Sequence, residues 1–199
     1  MKVRMHGSRN ENKMAITFDD GPNPFWTPKI LNILDEYGVK ANFFVIGRWA
    51  EKHPEIVREI FNRGHLIGNH TYSHSKKACC DFDKADETIF NILNIHTEFI
   101  RPPYFRLKYC LNYKPPFSRE AKMIGGDIPL FDWITKSEGI LNIAKHTIRK
   151  GSIIVLHDGS EKRNEQQKRP ERMVNALPKL IEVVMEKKLR IARLDELAL

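Results

Sequence analysis

The chain has 199 residues, of which 41% are hydrophobic and 29% are charged. These values are typical of one soluble globular domain and exclude an intrinsically disordered chain. The formal net charge is +8, but Lys and Arg are spread along the chain, dense only at residues 162–172, and no basic patch is interleaved with aromatic residues, so we expect no nucleic-acid partner.

The N-terminus and the cysteines exclude further classes of protein. Lys2 and Arg4 are not followed by an apolar segment, so the sequence predicts no export signal and leaves the natural compartment open. No apolar run approaches the ~20 residues that cross a bilayer. Cys79, Cys80 and Cys110 show no CxxC spacing, which argues against a zinc knuckle or a disulfide framework. We interpret them as reduced structural thiols.

Short apolar runs alternate with longer helical patterns along the chain. In chain order, the pattern predicts a strand at 14–18, a helix at 28–37, a strand at 41–46, a helix at 54–63, a strand at 65–68, a helix at 84–98, strands at 99–101 and 122–125, a helix at 138–150, a strand at 152–156, a helix at 172–188 and a strand at 190–194. In the first helix, Thr27 is the predicted N-cap, Pro28 occupies the first turn and Gly38 ends the helix. Residues 105–121 are predicted to form a loop that can contain one short helical turn.

The alternation of strands and helices predicts the fold class. It implies parallel strand pairing and an α/β fold. About seven such units in 199 residues favour a small, distorted and irregular (β/α) barrel, with residues 1–199 forming one domain. An open doubly wound sheet is the alternative.

Polar side chains follow five of the predicted strands. In chain order they are Asp19 and Asp20; Asn69, His70 and His74; the RPPY segment from Arg101 to Tyr104; Asp127, Asp132 and Trp133; and His157 and Asp158. The carboxyl ends of parallel strands share one face of a barrel, and active sites are built on that face. We therefore expect these side chains to meet in one site.

The histidines of the HTYSH segment suggest a metal centre. His70 and His74 are four residues apart, so one helical turn would bring both imidazoles within reach of one ion. With one carboxylate they make a two-histidine, one-carboxylate set with open positions, which suits a hydrolytic metal site. A cation would also neutralise the adjacent carboxylates of Asp19 and Asp20, although a single Asp after a strand could simply start a turn.

The segments TFDDGP, HTYSH, RPPY, FDW and IIVLHD resemble, in this order, the five motifs of the NodB-like polysaccharide deacetylases, carbohydrate esterase family 4. The resemblance extends from about residue 15 to about residue 196. It implies a distorted (β/α) barrel that removes acetyl groups, mostly from N-acetylglucosamine in chitin oligomers or peptidoglycan, and in some members from O-acetylated xylan.

The resemblance also implies a role for each matching residue. One divalent ion, zinc first, with cobalt, nickel or iron able to substitute, would be held by Asp20, His70 and His74. Asp19 would be the general base, paired with Arg101. His157 would be the general acid, held by Asp132.

Three further residues are assigned to the substrate pocket by the same resemblance. Tyr104 would offer its backbone N–H to the developing oxyanion, because the two residues between it and Arg101 are prolines. Trp133 and Leu156 would wall the pocket for the acetyl methyl group, although both could equally be plain core residues.

The sequence departs from the family pattern near the expected substrate groove. Phe105 stands where family members often carry Gly, and Pro129 stands where many carry Asp. We expect a monomer that acts on short soluble N-acetylated oligosaccharides. A metal phosphoesterase or nuclease is one alternative, but it would lack the carboxylates of a second metal. A non-catalytic carbohydrate-binding protein is another, but it would require a missing catalytic residue.

Overall fold

Parallel strands form the frame of the molecule. In a computed structural model, which describes residues 2–76, 81–114, 120–160 and 170–199, nine strands lie in the order β1-β6-β5-β4-β3-β2-β8-β7, with β9 beside β2. All neighbouring strands are parallel. They are β1 Val3–Arg4, β2 Lys13–Asp19, β3 Asn42–Val45, β4 Leu66–Asn69, β5 Phe99–Ile100, β6 Lys122–Ile124, β7 Ile128–Pro129, β8 Ile153–His157 and β9 Arg190–Ile191.

Helices link many of these strands, as parallel pairing requires. Over the same described ranges they are α1 Thr27–Glu36, α2 Gly47–Lys52, α3 Pro54–Asn62, α4 Phe82–Leu93, α5 Ser137–Thr147 and α6 Glu171–Glu186. Short 3-10 helices cover Pro103–Phe105, Leu107–Cys110 and Leu194–Glu196. No helix in the described part of the chain is both long and apolar enough to cross a membrane.

The expected distorted (β/α) barrel is confirmed. All seven predicted strands are present at their predicted places. The strands β1 and β7, which the sequence did not predict, contain two residues each. A two-residue strand is too short to show a periodicity, so its pairing depends on the rest of the sheet.

The helices differ from prediction at four points, of which the first is that α5 ends at Thr147, whereas the predicted helix reached residue 150, because Ile148 is extended. The short helix α2 was missed because six residues carry little periodic signal. The third predicted helix ends at Leu93, five residues early, because Asn94 adopts a left-handed conformation with φ 56°. Thr27 is not the N-cap: it lies inside α1, and its hydroxyl accepts the Asn23 N–H and donates to Asp158.

The interpretation of the cysteines as reduced thiols is wrong for Cys110. Cys110 is disulfide-bonded rather than a reduced thiol. Cys79 and Cys80 lie outside the described residues, as do residues 115–119 of the predicted loop and most of the basic stretch at 162–172.

Strand β2 divides its side chains between two cores. Met14, Ile16 and Phe18 belong to the larger core, which includes the buried faces of α1 and α6. Ala15 belongs to a smaller core inside the barrel, together with Phe44, Phe99, Ile124, Ile153, Leu194 and Leu197. Because side chains alternate along a strand, Thr17 and Asp19 continue the inward row that starts at Ala15. The same alternation directs Asp19 toward the mouth of the barrel.

A short chain crossing brings the two ends of the sheet close together. Strand β6 lies near one end of the sheet and β7 lies at the other, yet only residues 125–127 separate them. Four residue steps span at most about 14 Å, so the two ends of the sheet must approach each other. Gly126 lies in this crossing, where an added Cβ would clash with the Val155 side chain on β8.

This contact generates a stability prediction. Gly126→Ala should lower the free energy of unfolding by about 1–3 kcal/mol, because the barrel has no room for the added methyl group. Urea unfolding of Gly126→Ala in the native and in the Val155→Ala background measures the effect. The cost should be smaller in the Val155→Ala background, where the clashing methyl groups are gone. An equal cost in both backgrounds would contradict the packing explanation.

Candidate functional site

The carboxyl ends of the strands surround one cavity of about 320 Å³. All five polar clusters predicted from the sequence contribute to it. The lining residues are Asp19, Asp20, His70, His74, Pro102, Tyr104, Phe105, Trp133 and His157. Asp127, from the fourth cluster, does not itself reach the cavity, because its carboxylate accepts the Ile153 N–H and pairs with Arg9. The remaining members of that cluster, Asp132 and Trp133, do reach this face.

The two adjacent aspartates have different environments. Asp19 is the last residue of β2 and its Oδ1 accepts a hydrogen bond of 2.6 Å from Arg101 Nη1. Its Oδ2 lies 3.9 Å from His70 Nε2, on the cavity side. Asp20 follows the strand in a left-handed conformation with φ 73°. The Asp20 Oδ1 atom lies 3.0 Å from His74 Nε2. One carboxylate therefore faces a guanidinium and the other faces two imidazoles.

Arg101 is fully buried, and each of its guanidinium nitrogens is hydrogen-bonded. Nη1 donates to Asp19 and, at 2.7 Å, to Thr17 Oγ1. Nη2 donates to the carbonyl oxygen of Gly125 at 2.6 Å, and Nε donates to that of Ile124 at 3.3 Å. A buried charge persists only when it is paired and hydrogen-bonded, and Arg101 meets both conditions.

The tautomer of His70 indicates a cation site. His70 Nδ1 lies 2.8 Å from the Arg101 carbonyl oxygen, which can only accept, so Nδ1 carries the hydrogen. In the neutral ring, Nε2 therefore directs a lone pair toward Asp20 Oδ1, 3.4 Å away. The Asp20 oxygen has no hydrogen-bond partner among the described residues. Two lone pairs facing each other at this distance repel, so the arrangement favours a positive charge between them, supplied by a metal cation or by a proton on Nε2.

The spacing of the three side chains fits a single divalent ion. The candidate ligand atoms of Asp20, His70 and His74 all lie within 4.8 Å of one another, and all three residues are buried. Ligands about 2.1 Å from a tetrahedral ion are about 3.4 Å apart. The distances from Asp20 Oδ1 to His70 Nε2 and His74 Nε2, 3.4 Å and 3.0 Å, are close to this value. Burial opposes ionisation of Asp20, but in the metal-free site hydrogen bonds from protonated His70 and His74, together with the charge of His157, outweigh it and hold the pKa of Asp20 well below its ordinary value.

His157 and Asp132 form a second polar pair in the cavity. Asp132 Oδ1 accepts from His157 Nδ1 at 2.8 Å, and Asp132 Oδ2 accepts the His157 backbone N–H at 2.8 Å. With Nδ1 bound to Asp132, the His157 Nε2 atom faces the cavity. Burial disfavours the charged ring, but the carboxylates of Asp132, Asp20 and Asp19 outweigh it and raise the pKa of His157 to about 9.

Aromatic side chains border the polar groups. The Tyr104 ring packs against His74 with centroids 4.8 Å apart, and the Trp133 ring meets His157 edge-on at 5.1 Å. Leu156 is not part of this wall. It is fully buried in the larger core, because it neighbours His157 on β8 and so points to the opposite face of the sheet. The geometry does not support Leu156 as a pocket residue.

Strained backbone is concentrated around the cavity. Eight non-glycine residues in the described part of the chain have positive φ, and six of them belong to this region: Asp20, Thr71, His74, Tyr104, Phe105 and Phe131. Such conformations cost free energy and persist only where surrounding contacts enforce them, and they cluster at functional sites.

Sequence reasoning gave no role to Pro102, Phe105 or Asp158. Pro102 and Phe105 line the cavity on either side of the predicted residue Tyr104. Asp158 is fully buried behind Asp19 and Asp20. Burial and the carboxylates of Asp20 and Asp19 outweigh a hydrogen bond from Thr27 and raise the pKa of Asp158 to about 7. The only sequence signal for Asp158 was its place in the polar cluster after β8.

The chain is similar to known deacetylases in sequence. The polysaccharide deacetylase family model matches residues 6–109. The chain is 37% identical to a peptidoglycan-N-acetylglucosamine deacetylase of Bacillus cereus over 161 residues, which cover 76% of this chain but only 58% of that protein. It is 33% identical to a chitooligosaccharide deacetylase of Azorhizobium caulinodans, with 76% of each chain covered.

Solved structures show the same similarity. The Bc1960 peptidoglycan N-acetylglucosamine deacetylase, solved with an N-oxidanyl-benzamide compound, superposes with a TM-score of 0.85 at 32% identity and covers 98% of this chain and 92% of its own. A family 4 acetyl xylan esterase from Clostridium thermocellum, solved with a cobalt ion, gives a TM-score of 0.76 at 28% identity, with coverage of 92% and 88%.

The buried ion pair generates a second stability prediction. Arg101→Met should lower the free energy of unfolding by about 3–5 kcal/mol, because it leaves Asp19 buried without a cation. The double variant Asp19→Asn/Arg101→Met should recover part of that loss, since it leaves no buried charge at either position. Urea unfolding of the metal-free proteins measures both values. A double variant less stable than Arg101→Met would argue against charge imbalance as the cause.

The His157 pair generates a pKa prediction. Asp132→Asn removes the carboxylate closest to the ring, so the pKa of His157 should fall from about 9. A fall of at least about one unit is expected, which corresponds to about 1.4 kcal/mol. NMR titration of the His157 ring in metal-free protein measures it, with His146, an exposed histidine bonded to Asn142, as the internal control. An unchanged His157 titration would show that Asp132 does not stabilise the charged ring.

Proposed function

We propose that this chain, which belongs to the polysaccharide deacetylase family, is a metal-dependent hydrolase that removes acetyl groups from N-acetylated carbohydrate. The observation that carries the proposal is the arrangement of three groups around one cavity. A cation site made by Asp20, His70 and His74 lies beside the Asp19 carboxylate, and the His157–Asp132 pair lines the same cavity. Hydrolysis of an amide requires a base and an acid at opposite sides of the scissile bond, and this cavity offers both.

The metal is proposed to be one divalent ion, most readily zinc. Two imidazoles and one carboxylate accept zinc, and also cobalt, nickel or iron, because ligand type alone selects weakly among these ions. A divalent ion bound there would lower the pKa of a coordinated water toward about 7 and polarise the acetyl carbonyl. The chain's part is to hold Asp20 ionised and both histidines neutral, each in the correct orientation, and the hydrogen bond from His70 to the Arg101 carbonyl oxygen provides this for His70.

Asp19 is proposed as the general base. Its Oδ1 is occupied by Arg101, so the proton of the attacking water would be taken by Oδ2, which faces the cavity. The buried positive charge of Arg101 favours the ionised carboxylate that a base requires. Arg101 also fixes the direction of the carboxylate, since Thr17, Ile124 and Gly125 immobilise the guanidinium.

His157 is proposed as the general acid. An amide nitrogen is a poor leaving group unless it is protonated, and the cavity-facing Nε2 of a charged His157 can supply that proton. Asp132 accepts hydrogen bonds from both the Nδ1–H and the backbone N–H of His157. The His157 ring therefore cannot turn away from the leaving nitrogen. The raised pKa of about 9 keeps the metal-free ring charged at neutral pH.

Two cavity residues are proposed to bind the acetyl group. Tyr104 is the first residue after Arg101 with a backbone N–H, because residues 102 and 103 are prolines, and that N–H would stabilise the oxyanion. Trp133 would contact the acetyl methyl beside His157. Phe105 fills space next to Tyr104 that a glycine would leave open, which narrows the entrance.

The substrate is proposed to be a glycan that contains N-acetylglucosamine, either a chitooligosaccharide or peptidoglycan. The names of both sequence relatives support this class. O-acetylated xylan is the second candidate, because the chain is also similar to the cobalt-containing acetyl xylan esterase. These relatives favour acetyl hydrolysis over the phosphoesterase or nuclease alternative. We further propose that residues 1–199 act as one catalytic domain and as a monomer.

Acetate release tests the proposed function. Protein stripped of metal and reloaded with zinc should release acetate from N-acetylated chitooligosaccharides, and the stripped protein should not. Peptidoglycan and acetylated xylan, assayed in parallel, decide among the substrate classes. Full activity in protein shown by elemental analysis to contain no metal would overturn the mechanism, and zinc-loaded protein without activity on all three substrates would overturn the function.

The unequal environments of the aspartates generate the next prediction. Asp20→Asn removes an anionic ligand, so zinc affinity should fall, and excess zinc should restore part of the turnover. Asp19→Asn keeps a similar shape but cannot accept a proton, so it should bind zinc like the native protein and lose about 10²- to 10⁴-fold in kcat.

Zinc per chain and kcat, measured on both variants, separate the roles. Asn142→Asp, on the exposed turn of α5, serves as a control for a changed charge elsewhere and should change neither quantity. Loss of zinc from Asp19→Asn as complete as that from Asp20→Asn would mean that the two carboxylates act as a joint ligand.

A further inference from the structure

Asp158 is a buried carboxyl group for which the proposed mechanism has no use. It follows His157 at the end of β8 and is fully buried. Its backbone N–H donates to the Asp19 carbonyl oxygen at 3.1 Å, one residue beyond the last β2–β8 pair, Asp19 with His157. Asp158 therefore lies directly behind the point where the chain turns from Asp19 into Asp20.

The Asp158 carboxyl group contacts the turn through two routes. Its Oδ2 accepts the Thr27 hydroxyl at 2.5 Å, and the same hydroxyl oxygen accepts the Asn23 N–H at 2.8 Å. The carboxyl group also lies against the Gly21 backbone, where an added Cβ would clash with it. The segment from Gly21 to Asn23 is therefore held at both ends by one carboxyl group.

The turn needs such support because Asp20 has an unfavourable backbone. Its φ of 73° is a conformation that side chains other than glycine rarely adopt. Just after β3, the Ile46 N–H donates to the Gly21 carbonyl oxygen at 2.8 Å. Two residues after β8, Gly159 packs so closely on the Asp20 carbonyl that an added Cβ would clash with it. The direction of the Asp20 carboxylate follows from this backbone, so the contacts that hold the turn also aim the ligand.

A stabilising role alone does not explain a carboxyl group at this position. Asp158 Oδ1 is buried without a hydrogen-bond partner among the described residues, which costs about 1–3 kcal/mol. An apolar side chain of similar size would avoid that cost and would not place a third carboxyl group behind Asp19 and Asp20. An apolar side chain would, however, provide no acceptor for the Thr27 hydroxyl.

We infer that Asp158 is a positioning residue for the metal ligand Asp20. Through Thr27 and Gly21, it holds the turn in the conformation that directs the Asp20 carboxylate at His70 and His74. The inference rests on the proposed function, since it takes Asp20 to be a metal ligand, but it assigns to Asp158 and Thr27 a role in metal affinity and none in proton transfer.

Zinc affinity, measured by competition with a chromogenic chelator, tests the inference without using activity. Asp158→Ala should weaken zinc binding by about 10- to 100-fold, the usual effect of removing a group that orients a metal ligand. Asp158→Asn keeps the shape and the acceptor for Thr27, so it should bind zinc within about threefold of the native protein. Thr27→Val, which keeps the volume but loses the hydroxyl, should weaken zinc binding in the same direction as Asp158→Ala.

Asp86→Ala is the matched control. Asp86 is also buried and accepts hydrogen bonds from His96 and from the backbone and hydroxyl of Thr97, but it does not line the cavity. This variant should lower the melting temperature and leave zinc affinity unchanged. A similar loss of zinc affinity in Asp86→Ala would mean that the effect follows general destabilisation, and it would overturn the inference.

The remaining outcomes separate this inference from the proposed function. If Asp158→Ala does not fold, Thr27→Val and Asp158→Asn decide the matter. Native zinc affinity in Thr27→Val, or a loss in Asp158→Asn equal to that in Thr27→Val, would overturn the positioning role. A native protein that does not bind zinc would instead overturn the proposed metal function.

Discussion

The arrangement of the site depends on one buried guanidinium, that of Arg101. Arg101 has no exposed surface, and its hydrogen bonds go to the side chains of Asp19 and Thr17 and to two carbonyl oxygens at the end of β6. Because removing a charge from water is so costly, each guanidinium nitrogen needs a hydrogen-bond acceptor. This set of hydrogen bonds joins β2, β5 and β6 across the inside of the barrel. The apolar inner core lies below it, and the polar cavity lies above it.

The same constraint explains why two adjacent aspartates have different partners. Strand alternation places Asp19 in the inward row, where Arg101 is the nearest cation. The strand ends there, and the left-handed turn at Asp20 directs the next carboxylate toward the histidines that follow β4. The carbonyl oxygen of Arg101 in turn fixes the tautomer of His70. One arginine therefore neutralises the proposed base with its side chain and orients a proposed metal ligand with its backbone.

The sequence was most informative where a feature is long or chemically distinctive. The buried runs of β2 and β8 were predicted correctly from local pattern. The two histidines after β4 do approach one carboxylate, but the expected helical turn is absent, because Thr71 and His74 have positive φ. It was least informative where tertiary contacts decide. The two-residue strand β7 exists because the crossing at Gly126 brings it against β8. Leu156 was misplaced because a motif does not show which face of a strand its members occupy. Thr27 looks like a helix cap in sequence, but its hydroxyl is bound to Asp158, which lies 131 residues away.

The charges around the cavity connect its two halves. Asp19, Asp20 and Asp132 face two cations, Arg101 and a charged His157, which leaves one negative charge uncompensated when the histidines of the metal site are neutral. That excess contributes to the pKa of about 9 at His157, since Asp20 and Asp19 both favour the charged ring. A divalent cation at Asp20 would oppose the field of both carboxylates, so it would bring the pKa of His157 down from this value. A general acid works best when its pKa is near the working pH. The proposed acid would therefore be tuned by occupancy of the metal site, although Asp132, and not Asp20, holds its ring.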